Sequence, residues 1–334
     1  MILKDKVILV TGGTGSFGKR FVKTVLEKHA PKKLIIFSRD ELKQFEMAHD
    51  IGSDPRVRFF LGDVRDKERL FRAFHGVDIV VHAAALKQVP MLEYNPFEAV
   101  KTNVIGAENI INAAIDQKVG AVIALSTDKA VNPCNLYGAT KLCAEKLFIS
   151  GNAYTGEAVT RFGVVRYGNV VGSRGSVVPF FQSRRHTGVL PITDDRMTRF
   201  WITLDQAVEL VLTALRRFKG GEIFVPKIPS MKIMDLAKAI APECKTEIIG
   251  IRPGEKLHEV LLTEEEARHT VELDDCYVIH PEQYWWADQK PAQKTALPAD
   301  FRYSSDANTS WLTPDQLMAM ASGSSAPSTG PARK

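Results

Sequence analysis

The string TGGTGSFG, residues 11–18, follows the apolar run Val7, Ile8, Leu9, Val10 and leads into a helical stretch. That stretch, residues 17–28, places Phe21, Val22, Val25 and Leu26 on one helical face. Strand, glycine turn and helix in that order leave few folds open. Gly12, Gly15 and Gly18 permit a tight turn and close backbone approach, and a helix N-terminus offers unpaired N–H groups to a pyrophosphate. Thr14, Ser16 and Phe17 fill the same turn, so all six positions are expected to line a dinucleotide. Further short apolar runs at 34–37, 57–61, 79–83, 121–126 and 159–167 suit buried parallel strands. Helical stretches separate them, most clearly 96–117. The expected fold is α/β, a Rossmann-like doubly wound parallel sheet.

After about residue 172 the rhythm turns irregular, with strands near 222–225 and 246–249 and helices near 204–218 and 231–240. The expected organisation is a dinucleotide-binding domain at 1–170 that also carries the catalytic residues, then a smaller substrate lobe at 171–318 closing over the carboxyl edge of the sheet. The small, polar, proline-bearing residues 319–334 read as a disordered tail.

Composition excludes several classes. A net charge of +5 with scattered basic residues argues against nucleic-acid binding and suits an anionic small substrate. The cysteines Cys134, Cys143, Cys244 and Cys276 form no CxxC pair and no metal-ligand spacing with histidine, so no metal is expected. Free thiols in a reducing cytoplasm are the expectation. Lys4, Asp5 and Lys6 interrupt the first apolar run, and no stretch of about 18 apolar residues follows, so neither a signal peptide nor a membrane span is read.

Chemistry is concentrated in STDKA, residues 126–130, and YGATK, residues 137–141. Tyr137 and Lys141 stand four apart, one above the other on a helix. A tyrosine near its free pKa of about 10 is a poor base at neutral pH. A neighbouring ammonium favours the phenolate. Thr127 is placed to hydrogen-bond the same hydroxyl. Asp128 and Lys129 add a second acid/base pair that simple hydride transfer does not need, which suggests oxidation coupled to elimination.

Cofactor choice turns on Ser38, Arg39 and Asp40, where the second strand ends. An arginine there holds a 2′-phosphate by charge-assisted hydrogen bonds, so NADP is expected. Asp40 remains an alternative holder of a ribose 2′-hydroxyl if the register is off by a residue or two. Asp63 and Val64 after the third strand suit the adenine, and Ala83, Ala84 and Ala85 after the fourth let a cofactor pass close to backbone. His82, on a buried strand end, reads as packed rather than catalytic, and Trp285-Trp286 as core or interface.

TGxxGxxG with YxxxK resembles the extended short-chain dehydrogenases that remodel nucleotide sugars. Retaining 4,6-dehydratases of that group carry Thr-Asp-Glu where this chain has Thr127, Asp128 and Lys129. With HAAALKQVPMLEYNP (82–96) and RPGEKLHEVLL (252–262), this version resembles the inverting UDP-N-acetylglucosamine 4,6-dehydratases of pseudaminic acid biosynthesis. The resemblance runs from Lys6 to about Leu317. It implies an NADP-dependent hydro-lyase acting on UDP-N-acetylglucosamine, with Tyr137 as oxidation base, Asp128 as acid and Lys129 as base, the last two roles being open to a different division. It implies substrate contacts at Lys87, Asn169, Val177, Pro179, Arg199, Arg252 and Glu255, with a solvated lysine at 87 and a surface salt bridge between Arg252 and Glu255 as the plainer readings. It also implies a homo-oligomer paired through helices 96–117 and 137–150. Another nucleotide-sugar dehydratase or epimerase is the alternative. A dinucleotide-sensing regulator of similar fold is the non-enzyme alternative, and the presence of both Tyr137 and Lys141 argues against it.

Overall fold

The computed structural model describes residues 2–156, 159–173, 175–283 and 297–322. Trp285-Trp286 and residues 323–334 therefore lie outside the described residues.

The first 167 residues alternate strand and helix. They run β1 (Val7–Thr11), α1 (Ser16–Lys28), β2 (Lys33–Ser38), α2 (Glu41–Ile51), β3 (Val57–Leu61), α3 (Lys67–Ala73) and β4 (Ile79–His82). Then follow α4 (Val89–Tyr94), α5 (Pro96–Val100), α6 (Gly106–Asp116), β5 (Ala121–Thr127), α7 (Leu136–Gly151) and β6 (Arg161–Tyr167). The strands lie in the order β3-β2-β1-β4-β5-β6, all parallel. This is the doubly wound order expected from the glycine turn, with its reversal between β1 and β4. Ile8, Leu9, Val10, Leu34, Ile36, Val80 and Val81 are fully buried, as strands covered on both faces require.

The helical stretch read at 96–117 is not one uniform helix. α5 and α6 are joined by a wider π turn, Lys101–Ile105. Such a bulge re-aims the side chains within it, and here it directs Asn103 inward.

The chain divides into two compact units that interleave in sequence. The first holds residues 1–167, 204–227 and 260–302. Its sheet continues past β6 with Ile223–Pro226 in parallel, then Cys276–Ile279 and Thr270–Glu272 antiparallel. Residues 204–227 and 260–302, read from sequence as part of the later lobe, thus belong to the first unit, because Ile223–Pro226 pairs with β6 and Cys276–Ile279 pairs with Ile223–Pro226. The second unit holds residues 168–203, 228–259 and 303 onward. It contains a three-stranded sheet of Ser230–Lys232, Thr198–Ile202 and Asn169–Val170, and a parallel pair of Val189–Ile192 with Lys245–Ile248. Its core gathers Phe181, Leu190, Ile192, Trp201, Met231 and Leu236. The helix Pro314–Ser322 adds Leu317 and Met320 to that core, so residues 319–322, read from sequence as the start of a tail, are helical.

Candidate active site

In the first unit the glycine turn has the geometry that its sequence predicts. Gly12 has φ of +64°, and a Cβ added there would lie 2.8 Å from the backbone N of Ala84. Both facts demand glycine at the point where β1 and the end of β4 come together. Gly15 is the N-cap of α1 and no side chain caps that helix, leaving its first N–H groups directed at whatever occupies the turn. Thr14 and Phe17 are buried and Ser16 half-buried around it. Thr11 Oγ1 accepts from the N–H groups of Ala83 and Ala84 at 3.2 and 3.3 Å, fixing the close backbone passage that the alanines provide. The same hydroxyl meets His82 Nδ1 at 2.8 Å. Burial, then the Lys141 charge, drives the His82 pKa down to about 3, so the ring is neutral and packed.

At the end of β2, Ser38 is buried and held by Gln44, whose Nε2 donates to its carbonyl at 2.9 Å. Arg39 is exposed, its Nη1 3.8 Å from Asp63 Oδ2. Asp40 is the N-cap of α2: Oδ1 accepts from the Lys43 N–H at 3.0 Å, and Oδ2 pairs with the Lys43 ammonium. That double engagement weakens the alternative in which Asp40 holds a ribose hydroxyl. Asp63 accepts from Arg65 at 3.0 Å through the backbone and at 2.8 and 3.0 Å through the guanidinium. Although burial opposes it, those bonds hold the Asp63 carboxyl below its usual value. Val64 is buried and its carbonyl accepts from Asn109 at 3.1 Å.

β5 delivers Thr127 into a single 3₁₀ turn, Asp128–Ala130, against the start of α7. Thr127 Oγ1 and Lys129 Nζ both donate to Asp128 Oδ1, at 2.9 and 3.0 Å. Asp128 has no exposed surface, while Lys129 is partly open. Tyr137 hydrogen-bonds Thr127. Burial pushes its phenol pKa up, and the Lys129 charge and the Thr127 hydrogen bond oppose that rise. Lys141, one turn on, donates from Nζ to the Leu125 carbonyl at 2.8 Å and is almost wholly buried. Desolvation brings its pKa down to about 8 against the pull of Glu145. Lys87, after β4, is exposed, as the plainer reading has it, yet partial burial and then the Lys129 charge lower its pKa, which places it near this cluster. The five residues read from sequence as catalytic therefore converge, with Lys87 beside them.

The convergence depends on Gly138. A Cβ there would lie 2.1 Å from the Lys129 carbonyl oxygen. Asn135 caps α7, accepting from the Gly138 N–H at 2.8 Å, and Glu93 accepts from the Leu136 N–H at 2.7 Å. Sequence reasoning missed these supports, and it missed Asn103. From the π turn, Asn103 binds both the N–H and the carbonyl of Leu86 at 2.9 Å and donates to Thr140 Oγ1 at 3.1 Å. It ties the loop that carries Lys87 to the helix that carries Tyr137. Tyr167, whose pKa is raised by burial and then by Tyr137, also belongs to this group.

In the second unit, Asn169 lies on the short strand paired with Trp201, and Val177 and Pro179 lie in the first turn of Val177–Arg184. Arg199 is buried and spent on backbone: its Nη groups donate to the carbonyls of Thr198, Lys256 and Leu257 at 2.7 to 3.1 Å. It organises the 252–259 segment. Arg252 and Glu255 approach to 3.9 Å, the plainer reading, yet Glu255 Oε2 is buried with no hydrogen-bond partner among the described residues.

The family model described as polysaccharide biosynthesis protein matches residues 8–281. The chain belongs to that family. Its relatives include the UDP-N-acetylglucosamine 4,6-dehydratase (inverting) of Campylobacter jejuni, 54% identical over 326 residues, covering 95% of this chain and 97% of that one. They also include a protein named UDP-glucose 4-epimerase from Rickettsia conorii, 47% identical over 284 residues, covering 82% and 83%. Among solved structures, Pen from Bacillus thuringiensis is 39% identical, with a TM-score of 0.88 over 97% of this chain and 98% of that one. The extended short-chain dehydrogenase resemblance read from the motifs is thereby borne out. Among the described residues no cluster of metal-ligating side chains is found, and no helix is long and apolar enough to cross a membrane.

Proposed function

We propose that this chain is a C5-inverting UDP-N-acetylglucosamine 4,6-dehydratase, a hydro-lyase yielding UDP-2-acetamido-2,6-dideoxy-β-L-arabino-hexos-4-ulose. The observation that carries the reading is the Asp128–Lys129 pair, joined at 3.0 Å and set beside Tyr137 and Lys141. Oxidation alone uses a tyrosine and a lysine; elimination needs an acid and a base besides. The high identity to the Campylobacter enzyme agrees with it.

The Gly12 cradle and the uncapped N-terminus of α1 fit a dinucleotide, with Gly15 to Gly18, Ser38, Arg39, Asp63, Val64 and Ala83 to Ala85 along its length. The exposed Arg39 and the committed Asp40 favour NADP over NAD. When bound, the nicotinamide accepts two electrons from C4 and returns them to C6.

Tyr137 takes the C4 hydroxyl proton, with Lys141 supplying positive charge that favours the phenolate. The C4 ketone acidifies C5–H. Lys129 Nζ removes that proton, and Asp128 gives one to the C6 hydroxyl, which leaves as water; once C6 has regained its hydride, a solvent-derived proton added to the opposite face of C5 completes the turnover. The pair begins as ammonium and carboxylate. Passage of one proton along the Lys129–Asp128 hydrogen bond creates the amine base and the carboxylic acid together, so both roles arise in a single step. Lys87 faces the sugar in this reading, and Asn169, Val177, Pro179, Arg252 and Glu255 hold the uridine diphosphate. The unpartnered Glu255 oxygen suits a ribose hydroxyl, while Arg199 supports the segment from behind. Met91, Tyr94 and Phe97 expose large apolar surfaces near α5, which supports self-association of a cytoplasmic enzyme through this helix and α7. Light scattering that finds only the 37.1 kDa monomer at micromolar concentration overturns the self-association.

Incubation with UDP-N-acetylglucosamine in deuterated water, followed by NMR, tests the function. Loss of water with deuterium at C5 and inverted C5 configuration is expected. The Rickettsia relative motivates a 4-epimerase as the second reading. A 4-epimer that keeps its C6 hydroxyl and carries no deuterium would select it.

A further inference from the structure

Behind the catalytic pair lies a second charged group that no step above uses. Arg166, on β6, is 1% exposed and Glu145, on α7, 2%. All five guanidinium N–H groups are spent. Nε and Nη2 donate to Glu145 at 3.1 and 2.7 Å, Nη1 and Nη2 to Glu266 at 2.9 Å each, and Nη1 also to the Leu261 carbonyl at 3.0 Å. Two carboxylates share one guanidinium, and the exposed Lys146 acts on Glu266 from the open side, so the negative excess of the buried part of the group lies at Glu145. Glu145 stands one helical turn beyond Lys141, as Lys141 stands one turn beyond Tyr137. The excess charge therefore faces the buried lysine.

Such a network is a poor device for stability alone. Burying charges removes their hydration, and apolar replacements of similar volume are often neutral or stabilising. We propose that Glu145, held rigid by Arg166 and Glu266, is a positioning residue that keeps Lys141 in its charged form inside a dry site. The groups around Lys141 agree. From β5 it meets the Leu125 carbonyl, from β4 a His82 that is neutral, and from its own helix the Tyr137 phenol one turn before it and Glu145 one turn after. Arg166 reaches it only through Glu145. Burial acts to discharge Lys141, and Glu145 is the charge that opposes it.

The inference rests on the role given to Lys141 in the proposed function, but its test does not require turnover. Protein labelled with [ε-¹³C]lysine is titrated by NMR, the Lys141 signal being the one absent from Lys141→Met. Glu145→Gln should lower the Lys141 midpoint by about one pH unit, the size expected for loss of an adjacent opposite charge. The alkaline limb of kcat/KM should move the same way, and Glu145→Asp should restore much of the shift. Glu266→Gln, one guanidinium further away, should shift Lys141 in the same direction by less. A folded Glu145→Gln whose Lys141 titrates as in the parent overturns the proposal. If Glu145→Gln does not fold, Glu266→Gln decides: an unmoved Lys141 overturns the proposal and an acid shift supports it. Failure of dehydration with an intact Lys141 shift would instead count against the function.

Discussion

Gly138→Ala tests the assembly of the site in one atom. In an exposed helix interior this change is stabilising, by roughly 0.5–1 kcal/mol, because alanine restricts the unfolded chain. Here the new Cβ meets the Lys129 carbonyl oxygen at 2.1 Å and the Lys129 carbonyl carbon and Pro133 Cβ at 3.0 Å. Ordinary contact begins at 3.4 Å, so the nearest atom must retreat by about 1.3 Å, and it is backbone that cannot rotate aside. Overpacking of this kind costs about 1–3 kcal/mol, which outweighs the helix term. The 3₁₀ turn moves off α7, taking Asp128 and Lys129 with it, or α7 tilts and takes Tyr137. A misplacement of about 1 Å costs on the order of 10²-fold in rate. Thermal melting should show a folded, slightly destabilised protein, and NMR of the dehydration should show kcat reduced about 10²-fold. A variant that melts higher than the parent, or that keeps kcat within about threefold, refutes the reasoning.

Arg39→Ala should weaken NADP more than NAD by roughly 1.5–3 kcal/mol, the value of a hydrogen bond to a charged group; equal weakening in calorimetry removes Arg39 from cofactor selection. Tyr137→Phe should lower turnover by about 10²–10⁴ and abolish C5 deuterium exchange with it. Lys129→Ala should still build up absorbance of reduced nicotinamide in stopped flow without releasing dehydrated product; near-normal dehydration would move the base to Lys87. The His82 pKa is depressed, so between pH 6.5 and 3 the unfolded chain binds a proton that the folded one refuses, and stability falls with falling pH. Denaturant titrations should show His82→Gln with a slope shallower by up to about 1.4 kcal/mol per pH unit in that window, and an unchanged slope counts against the buried neutral ring.

What the sequence disclosed was local. The glycine turn is legible because a positive φ and a close backbone approach both demand glycine, and Tyr137 with Lys141 because four residues make one helical turn. What stayed hidden joins distant segments. Asn103 answers to the backbone of Leu86, 17 residues earlier, and only a π turn aims it there. Arg166 and Glu266 are 100 residues apart, and no periodicity connects them. Arg199 reads as a substrate contact because its sequence cannot show that the carbonyls of Lys256 and Leu257 already occupy it. The later lobe reads as continuous in sequence because strand pairing across the chain, such as Ile223–Pro226 with β6, is invisible to patterning.

The interleaving of the two units sets an order of events during synthesis. Residues 1–167 supply six adjacent parallel strands and can begin to collapse while the rest is still emerging. The second unit has no such head start. Its core needs Val178 and Trp201 from one segment, Leu236 from a second, and Leu317 and Met320 from a third, so it closes only after nearly the whole chain has left the ribosome. Contacts that span so much sequence form slowly. A chain halted at residue 302 should therefore hold a protected first unit and a protease-sensitive second one, and equal resistance of both would show that the last helix is dispensable to folding.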